Sequence, residues 1–314
     1  MSLKQTKNIW FNNKLVPWED ATIHVLTYAL HYGSAVFEGI RAYKTDDGCK
    51  IFRLDEHIKR LLNSAKIYRM HIPYSHQELK NACKIIVSSN DLNEGAYIRP
   101  IAFRGYDDLG LHAHNEDAID VVVAAWEWGT YLGSDALNNG VDACVSSWNK
   151  INPNTVPFMA KASGNYLTGT LVAMEARQNG YDEGILLDST GMVSEGAGEN
   201  IFMVKDGNLY TPPLSSSILD GITRDAVIKI AESLKLGVIE AKIPREQLYI
   251  ADELFFTGTA VEITPIRSVD KITIGAGTKG PVTAQIQKAF FGLFLSLIHI
   301  SEPTRRYAIS YAVF

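Results

Sequence analysis

A change of hydrophobic period along the chain constrains the fold most. From Arg53 to Met70 the apolar residues Leu54, Ile58, Leu61, Leu62, Ala65 and Ile67 recur at helical spacing, which gives a helix with one face to bury. Ser75, with Glu78 three residues on, forms a capping box and opens a second helix. Ala96–Phe103 and Ala118–Trp126 (AIDVVVAAW) are then apolar, β-branched runs that read as strands. Ile9–Val16 (IWFNNKLV) reads as a hairpin turning on Asn12-Asn13. Arg104–Asp117, RGYDDLGLHAHNED, is a polar loop between the strand runs.

The stretch Trp128–Asn139, WGTYLGSDALNN, carries turn residues and little periodicity. It predicts a small N-terminal α+β domain over 1–128, an interdomain linker over 129–138 and a larger domain over 139–294. In the larger domain, strands are predicted at Asp142–Ser147, Glu183–Asp188, Asn200–Lys205 and Glu253–Thr257, with helices at Ser163–Asn179 and Thr223–Leu236. The fold class expected is α+β.

Bulk composition narrows the function. Of the 314 residues 46% are apolar and 21% charged, which is ordinary for a globular protein with a sizeable core. A net charge of -5, from 35 acids against 30 bases, is a poor match to non-specific DNA binding, which needs basic surface. Three scattered cysteines, Cys49, Cys83 and Cys144, form no CxxC pair. That argues against a disulfide scaffold or zinc site and fits a reducing cytoplasmic setting. Met1–Phe11 has no signal-peptide run. The longest apolar stretch, Ala289–Ile300, is too short for a membrane span, which needs roughly 20 residues.

Four short runs carry chemistry. In PFMAKASGNY, Lys161 sits among small and apolar residues. Desolvation there lowers a lysine pKa and suits Schiff-base formation. Tyr166, five residues on, offers a phenol. In GMVSEGAGEN, Glu195 precedes two glycines that let backbone approach a ligand. A carboxylate so placed can hold a proton on a heterocyclic nitrogen. In DGITRD, Ile222 and Thr223 open a helix whose first N–H groups can bind phosphate. TGTA, Thr257–Ala260, is a small hydroxyl-bearing turn after the run ELFF. Each run alone also fits a plain reading: a solvated lysine, a turn-capping glutamate, an ordinary N-cap, a strand-ending turn. Together they supply the handles of pyridoxal 5'-phosphate.

The order of these runs resembles the branched-chain amino acid aminotransferases, within the class IV (fold type IV) enzymes that use pyridoxal phosphate. The resemblance rests on HYGSAVFEGIR, HIKRL, AYIRP, SSWNK, MAKASGNY, SEGAGENIF, LDGITRD and FTGTAVEITPIRSVD, and extends over about residues 7–294. It implies a two-domain fold, a small α/β domain plus a larger domain with a barrel-like sheet. It also implies transfer of the amino group of leucine, isoleucine or valine to 2-oxoglutarate, and a homodimer or hexamer. Lys161 would bind the cofactor covalently and shuttle a proton at the substrate Cα. Tyr166 would bond its O3′, Glu195 would pair with its ring nitrogen, and Leu219 would pack on the ring. Arg60, Ile222, Thr223 and Thr259 would hold the phosphate. Phe37, Trp128, Tyr131 and Tyr166 would form the apolar pocket, with Tyr97 and Arg99 on the substrate-carboxylate side. Thr259 and Ala260 would bind the α-carboxylate through their backbone. Tyr32 would reach in from the neighbouring subunit, and the loop at Leu109 and Leu111 would cover the pocket. FEGIR and YIRP favour this family over the D-amino-acid aminotransferases and the aminodeoxychorismate lyases. Possession of Lys161, Tyr166 and Glu195 argues against a non-catalytic cofactor-binding protein.

The chain departs from the family's pattern at its end. Leu295–Arg305, LSLIHISEPTR, is the in-frame translation of a transposase sequencing adapter. The stretch 295–314 is therefore expected to be an adapter-derived tail and not an interface or membrane element.

Overall fold

The computed structural model describes residues 4–45, 48–107, 109–111, 118–129, 132, 135–295 and 311–313. The chain divides into two compact units. The first comprises Met1–Trp128, Ala160–Gly164 and Phe294–Phe314; the second comprises Gly129–Met159 and Asn165–Leu293.

The first unit contains β1 (Asn8–Phe11), β2 (Lys14–Pro17), α1 (Tyr28–Tyr32), β3 (Ala35–Phe37), β4 (Ile40–Thr45), β5 (Gly48–Phe52), α2 (Leu54–Ile67), α3 (His76–Ser89), β6 (Gly95–Arg104) and β7 (Ile119–Trp126). Its sheet is antiparallel throughout, in the order β5-β4-β6-β7-β1-β2, with β3 also on β6. Asn12 and Asn13 take φ of 45° and 65°, the left-handed pair that closes a two-residue hairpin. Along β7 every second residue is buried: Ile119, Val121, Val123 and Ala125. That face is covered by Leu54, Ile58, Leu61 and Ala65 of α2 and by Leu79, Ala82, Cys83 and Ile86 of α3. Each large side chain so buried contributes about 1.5–3 kcal/mol. The capping box at Ser75 is complete: its hydroxyl accepts the Glu78 N–H, and Glu78 accepts the Ser75 N–H. Phe294 stacks on Tyr43 with ring centroids 3.8 Å apart.

The second unit contains α4 (Ala136–Asn139), β8 (Val141–Asn149), α5 (Tyr166–Gln178), β9 (Glu183–Leu187), β10 (Val193–Gly196), β11 (Asn200–Lys205), β12 (Asn208–Thr211), α6 (Ile222–Ser233), β13 (Gly237–Glu240), α7 (Arg245–Tyr249), β14 (Glu253–Gly258), β15 (Glu262–Val269), β16 (Ile272–Thr273) and α8 (Pro281–Leu295, ending at the unit boundary). Its sheet runs β10-β9-β8-β15-β14-β11-β12-β13, with β16 on β15, and curls as a half-barrel. Three pairs are parallel: β8–β9 and β12–β13, joined by the helices α5 and α6, and β8–β15, which lie far apart in the chain. β14 and β11 are buried almost along their length. Ile201, Met203, Leu254 and Phe256 belong to the core cluster on one face, while Phe202 and Phe255 stack at 5.2 Å on the other.

A last short strand, β17 (Tyr311–Val313), pairs antiparallel with β5 in the first unit. Of the run Leu295–Arg305, only Leu295 lies among the described residues. The mixed helix-and-sheet class is as expected. Among the described residues no helix is long and apolar enough to cross a membrane.

Candidate active site

In the first unit, α2 carries two stripes. The apolar one faces the sheet. Beside it, His57, Arg60 and Ser64 lie at i, i+3 and i+7 on one face. The Ser64 hydroxyl accepts the backbone N–H of Lys161 at 2.9 Å. The Lys161 carbonyl accepts the Phe37 N–H at 3.0 Å, and Val36 bridges Ala162. Lys161 is thus fixed on both sides of its backbone. Its amine lies 5.1 Å from the centre of the Phe37 ring. Burial of that amine, reinforced by the neighbouring Arg60 charge, lowers its pKa to about 8.

Glu38, between β3 and β4, is fully buried. Its carboxylate accepts Arg60 Nε at 2.6 Å, Arg60 Nη2 at 2.8 Å and His57 Nδ1 at 2.7 Å. Burial alone would raise the Glu38 pKa, but Arg60 and His57 outweigh it and hold the group well below the usual carboxylate range. Burial lowers the His57 pKa, and because the Glu38 carboxylate can only accept, Nδ1 carries the proton it donates. On β6, Arg99 donates to the Tyr97 hydroxyl at 3.0 Å, and its guanidinium lies 4.7 Å from the Phe37 ring centre. Tyr97 packs on Trp128, with ring centroids 4.3 Å apart. Arg99 Nε is buried and has no hydrogen-bond partner among the described residues.

In the second unit, Glu195 is buried on β10 and accepts three donors. Asn200 Nδ2 and the Leu219 N–H each reach its Oε2 at 3.0 Å, and the Lys150 ammonium reaches its Oε1. Asn200 Nδ2 also donates to the Leu219 carbonyl at 3.0 Å, tying the strand to the turn that opens α6. Gly221 caps that helix with no side-chain hydrogen bond, leaving a helix N-terminus of the kind that suits an anion. A Cβ at Gly221 would lie 1.9 Å from Asn200 Oδ1, so any other residue would displace the Asn200 side chain from Glu195 and Leu219. Arg224, next to Thr223, donates instead to the Pro212 carbonyl and to Glu240. Tyr166 heads α5, and its ring is 3.9 Å from where a Cβ on Gly198 would sit. α5 reaches this loop because Gly169 lacks a side chain: a methyl there would lie 2.3 Å from the Ala197 carbonyl oxygen. Behind the loop, Glu199 and Glu183 are buried and hydrogen-bonded to each other. Burial first, then the charge of Glu183, raises the Glu199 pKa well above the usual range.

Within the first unit the predicted residues Phe37, Arg60, Tyr97, Arg99, Trp128 and Lys161 fall in one neighbourhood of contacts and charge. Tyr32 lies against Tyr28 on α1 and is 44% exposed. Leu109 and Leu111 are exposed at 47% and 81%. Tyr131 lies outside the described residues. Within the second unit Glu195 and Leu219 are bonded directly, while Ile222, Thr223, Thr259 and Ala260 occupy the helix start and the β14–β15 turn. Sequence reasoning assigned no role to Glu38, His57, Lys150 or Asn200. Glu38 and Lys150 stand inside runs already singled out, FEGIR and SSWNK, but their partners are 22 and 45 residues away.

Residues 35–269 match the model of the amino-transferase class IV family. The branched-chain-amino-acid aminotransferase of Salmonella typhimurium is 55% identical over 294 residues, 94% of this chain and 95% of that protein. The crystal structure of the Escherichia coli branched-chain amino acid aminotransferase superposes with a TM-score of 0.91 at 54% identity, covering 93% of this chain and 95% of that one. The Thermobaculum terrenum branched-chain amino acid aminotransferase, solved in its PLP-form, gives 0.85 at 35% identity over 92% and 94%. The chain belongs to the class IV aminotransferases and, within them, to the branched-chain-amino-acid aminotransferase family. It is a transaminase, and the class depends on pyridoxal phosphate.

Proposed function

We propose that this enzyme transfers the amino group of L-leucine, L-isoleucine and L-valine to 2-oxoglutarate, giving branched-chain 2-oxo acids and L-glutamate, with pyridoxal 5'-phosphate held covalently by Lys161. The observation that carries the reading is the Lys161 amine, fixed at its backbone and lowered in pKa to about 8. An amine so tuned is a nucleophile near neutral pH. The chemistry of the donor set also fits the cofactor. Glu195, secured by three donors, suits a protonated ring nitrogen. The Gly-capped start of α6, with Ile222 and Thr223, suits a phosphate. Arg60 and Thr259 are assigned to the same phosphate, Tyr166 to the ring oxygen and Leu219 to the ring face.

When bound, the cofactor supplies an aldehyde for the amine and a ring that draws electrons from the substrate Cα. Lys161 would hold the cofactor and, as a free amine, would move the proton at the substrate Cα. Glu195 holds the ring proton that makes the electron withdrawal effective. The pocket must accept an aliphatic chain in one half-reaction and a carboxylate chain in the other. Phe37, Trp128, Tyr131 and Tyr166 are assigned to the aliphatic chain. Arg99, with a buried Nε lacking a hydrogen-bond partner among the described residues, and Tyr97 supply donors for the distal carboxylate. The backbone of Thr259 and Ala260 is assigned to the α-carboxylate, and the Leu109–Leu111 loop to covering the site. Tyr32, exposed on its own chain, is assigned to the neighbouring subunit's site in a homodimer or hexamer. Three buried, unpaired thiols support a cytoplasmic location.

Steady-state assays with L-leucine, L-isoleucine, L-valine and D-alanine against 2-oxoglutarate test the reading. Turnover of the three L-amino acids is expected; turnover of D-alanine alone overturns it. The same reading assigns 295–314 to adapter sequence, and a contiguous genomic locus encoding that tail would overturn this assignment.

A further inference from the structure

We propose that Glu38, secured by His57, is the positioning residue that fixes the Arg60 guanidinium for the cofactor phosphate. The inference rests on the assignment of Arg60 to that phosphate. Glu38 engages one edge of the guanidinium, Nε at 2.6 Å and Nη2 at 2.8 Å. A planar fork held along one edge has its rotation fixed, so the remaining terminal edge is presented in one direction. The hold is not a surface ion pair. Glu38 has no exposure, and the Arg60 side chain retains 15%. His57, also buried, donates to the same carboxylate at 2.7 Å. The Glu38 carboxylate therefore cannot swing away without leaving a buried charge unpaired, which is strongly unfavourable. All three side chains reach one point because α2 places His57 and Arg60 one turn apart on a single face, opposite the Phe37–Ile40 crossing from β3 to β4.

Charge and positioning make opposite predictions here. A carboxylate beside the guanidinium offsets its positive charge, so on charge alone Glu38→Gln would tighten phosphate binding. On positioning it weakens binding, because the glutamine amide can accept from the fork at one point only and turns donors toward it at the other. Glu38→Asp keeps the charge and shortens the reach by one methylene, so it too loses the two-point hold.

The test compares dissociation constants of pyridoxal 5'-phosphate and of pyridoxal, which lacks the phosphate, measured by absorbance on the full-length protein freed of cofactor. Four proteins are compared: wild type, Glu38→Gln, Glu38→Asp and Arg60→Ala. The expected result is that Glu38→Gln and Glu38→Asp weaken the phosphorylated ligand by roughly tenfold or more, the scale on which outer residues tune a site, with pyridoxal binding little changed. Unchanged or tighter binding of the phosphorylated ligand by Glu38→Gln overturns the proposal. If Arg60→Ala leaves the ratio of the two constants unchanged, the assignment of Arg60 fails instead. A crystal structure of the wild-type holoenzyme decides the matter even if the Glu38 variants do not fold. Glu38 is expected on Nε and Nη2 with the phosphate on another edge, and an Arg60 that has left Glu38 overturns the inference.

Discussion

The Lys150 ammonium sits on the Glu195 carboxylate, joining the end of β8 to the end of β10. Glu195 retains only 7% side-chain exposure and Lys150 only 15%, so each depends on the other for compensation. Replacing Lys150 by Met leaves the carboxylate with neutral donors alone. A loss of about 3–5 kcal/mol is expected for breaking such a buried pair. Thermal melts of Lys150→Met should show it, and the double variant Lys150→Met/Glu195→Gln should recover part of the lost stability. A double variant no more stable than Lys150→Met would mean that the pair is not coupled.

Lys161 gives a pH signature. Because burial and Arg60 lower its pKa to about 8, the free amine forms as pH rises through that value. The rate at which cofactor-free protein captures pyridoxal, followed by absorbance, should climb with pH and reach half its limit near pH 8. Replacing Arg60 by Met removes a neighbouring cation and should move that midpoint upward. A midpoint above pH 10 in the wild type would show a solvated, ordinary lysine.

Glu199 and Glu183 give a second pH dependence, of opposite sign to that of most carboxylates. Their pKa values are raised in the fold, chiefly by burial. Stability from this pair is therefore fully present below the ordinary glutamate pKa and is lost as pH rises through the raised values. Glu199→Gln removes the titrating group while keeping an acceptor for the Gly198 N–H, which lies 2.8 Å from Glu199. The variant should melt a few degrees higher than wild type at pH 8 and gain less at pH 5. An equal gain at both pH values would show that titration of the pair does not govern stability.

Gly169 sets how closely α5 approaches the Glu195 loop. Gly169→Ala puts a methyl 2.3 Å from the Ala197 carbonyl oxygen, so the loop must shift. Overpacking of this kind costs about 1–3 kcal/mol. Transaminase activity should fall with kcat more than the melting temperature alone explains, because Glu195 lies two residues from the displaced carbonyl. Full activity in Gly169→Ala would show that the loop yields without moving Glu195.

What was legible in the sequence divides by range. Local signals were plain: the Asn12-Asn13 turn, the Ser75–Glu78 box, the 3.6-residue period of α2 and the alternation of β7 each specify their element within a few residues. α2 itself stops at Ile67, short of the Met70 end of the periodic run, because the chain turns at Tyr68 and Arg69, with Arg69 at φ 54°. The strands β3, β4, β5, β12 and β13 had no such signal. They are short, and β13, paired on one side only among the described residues, has no apolar alternation. The chemical residues were legible as motifs but not as partners. Glu195 could be singled out, yet nothing near it in the chain points to Lys150. Arg60 could be assigned to an anion, yet the carboxylate that orients it comes from a different strand crossing. Tertiary pairing of charges is decided by the sheet order, which no single-sequence period encodes.

Everything in the proposed chemistry depends on Lys161 being the amine that carries the cofactor. The most direct test reconstitutes the protein with pyridoxal 5'-phosphate, reduces it with borohydride and maps the modified peptide by mass. A phosphopyridoxyl group is expected on Lys161 and none in Lys161→Ala. Modification at Lys150 instead, or at no single lysine, would contradict it.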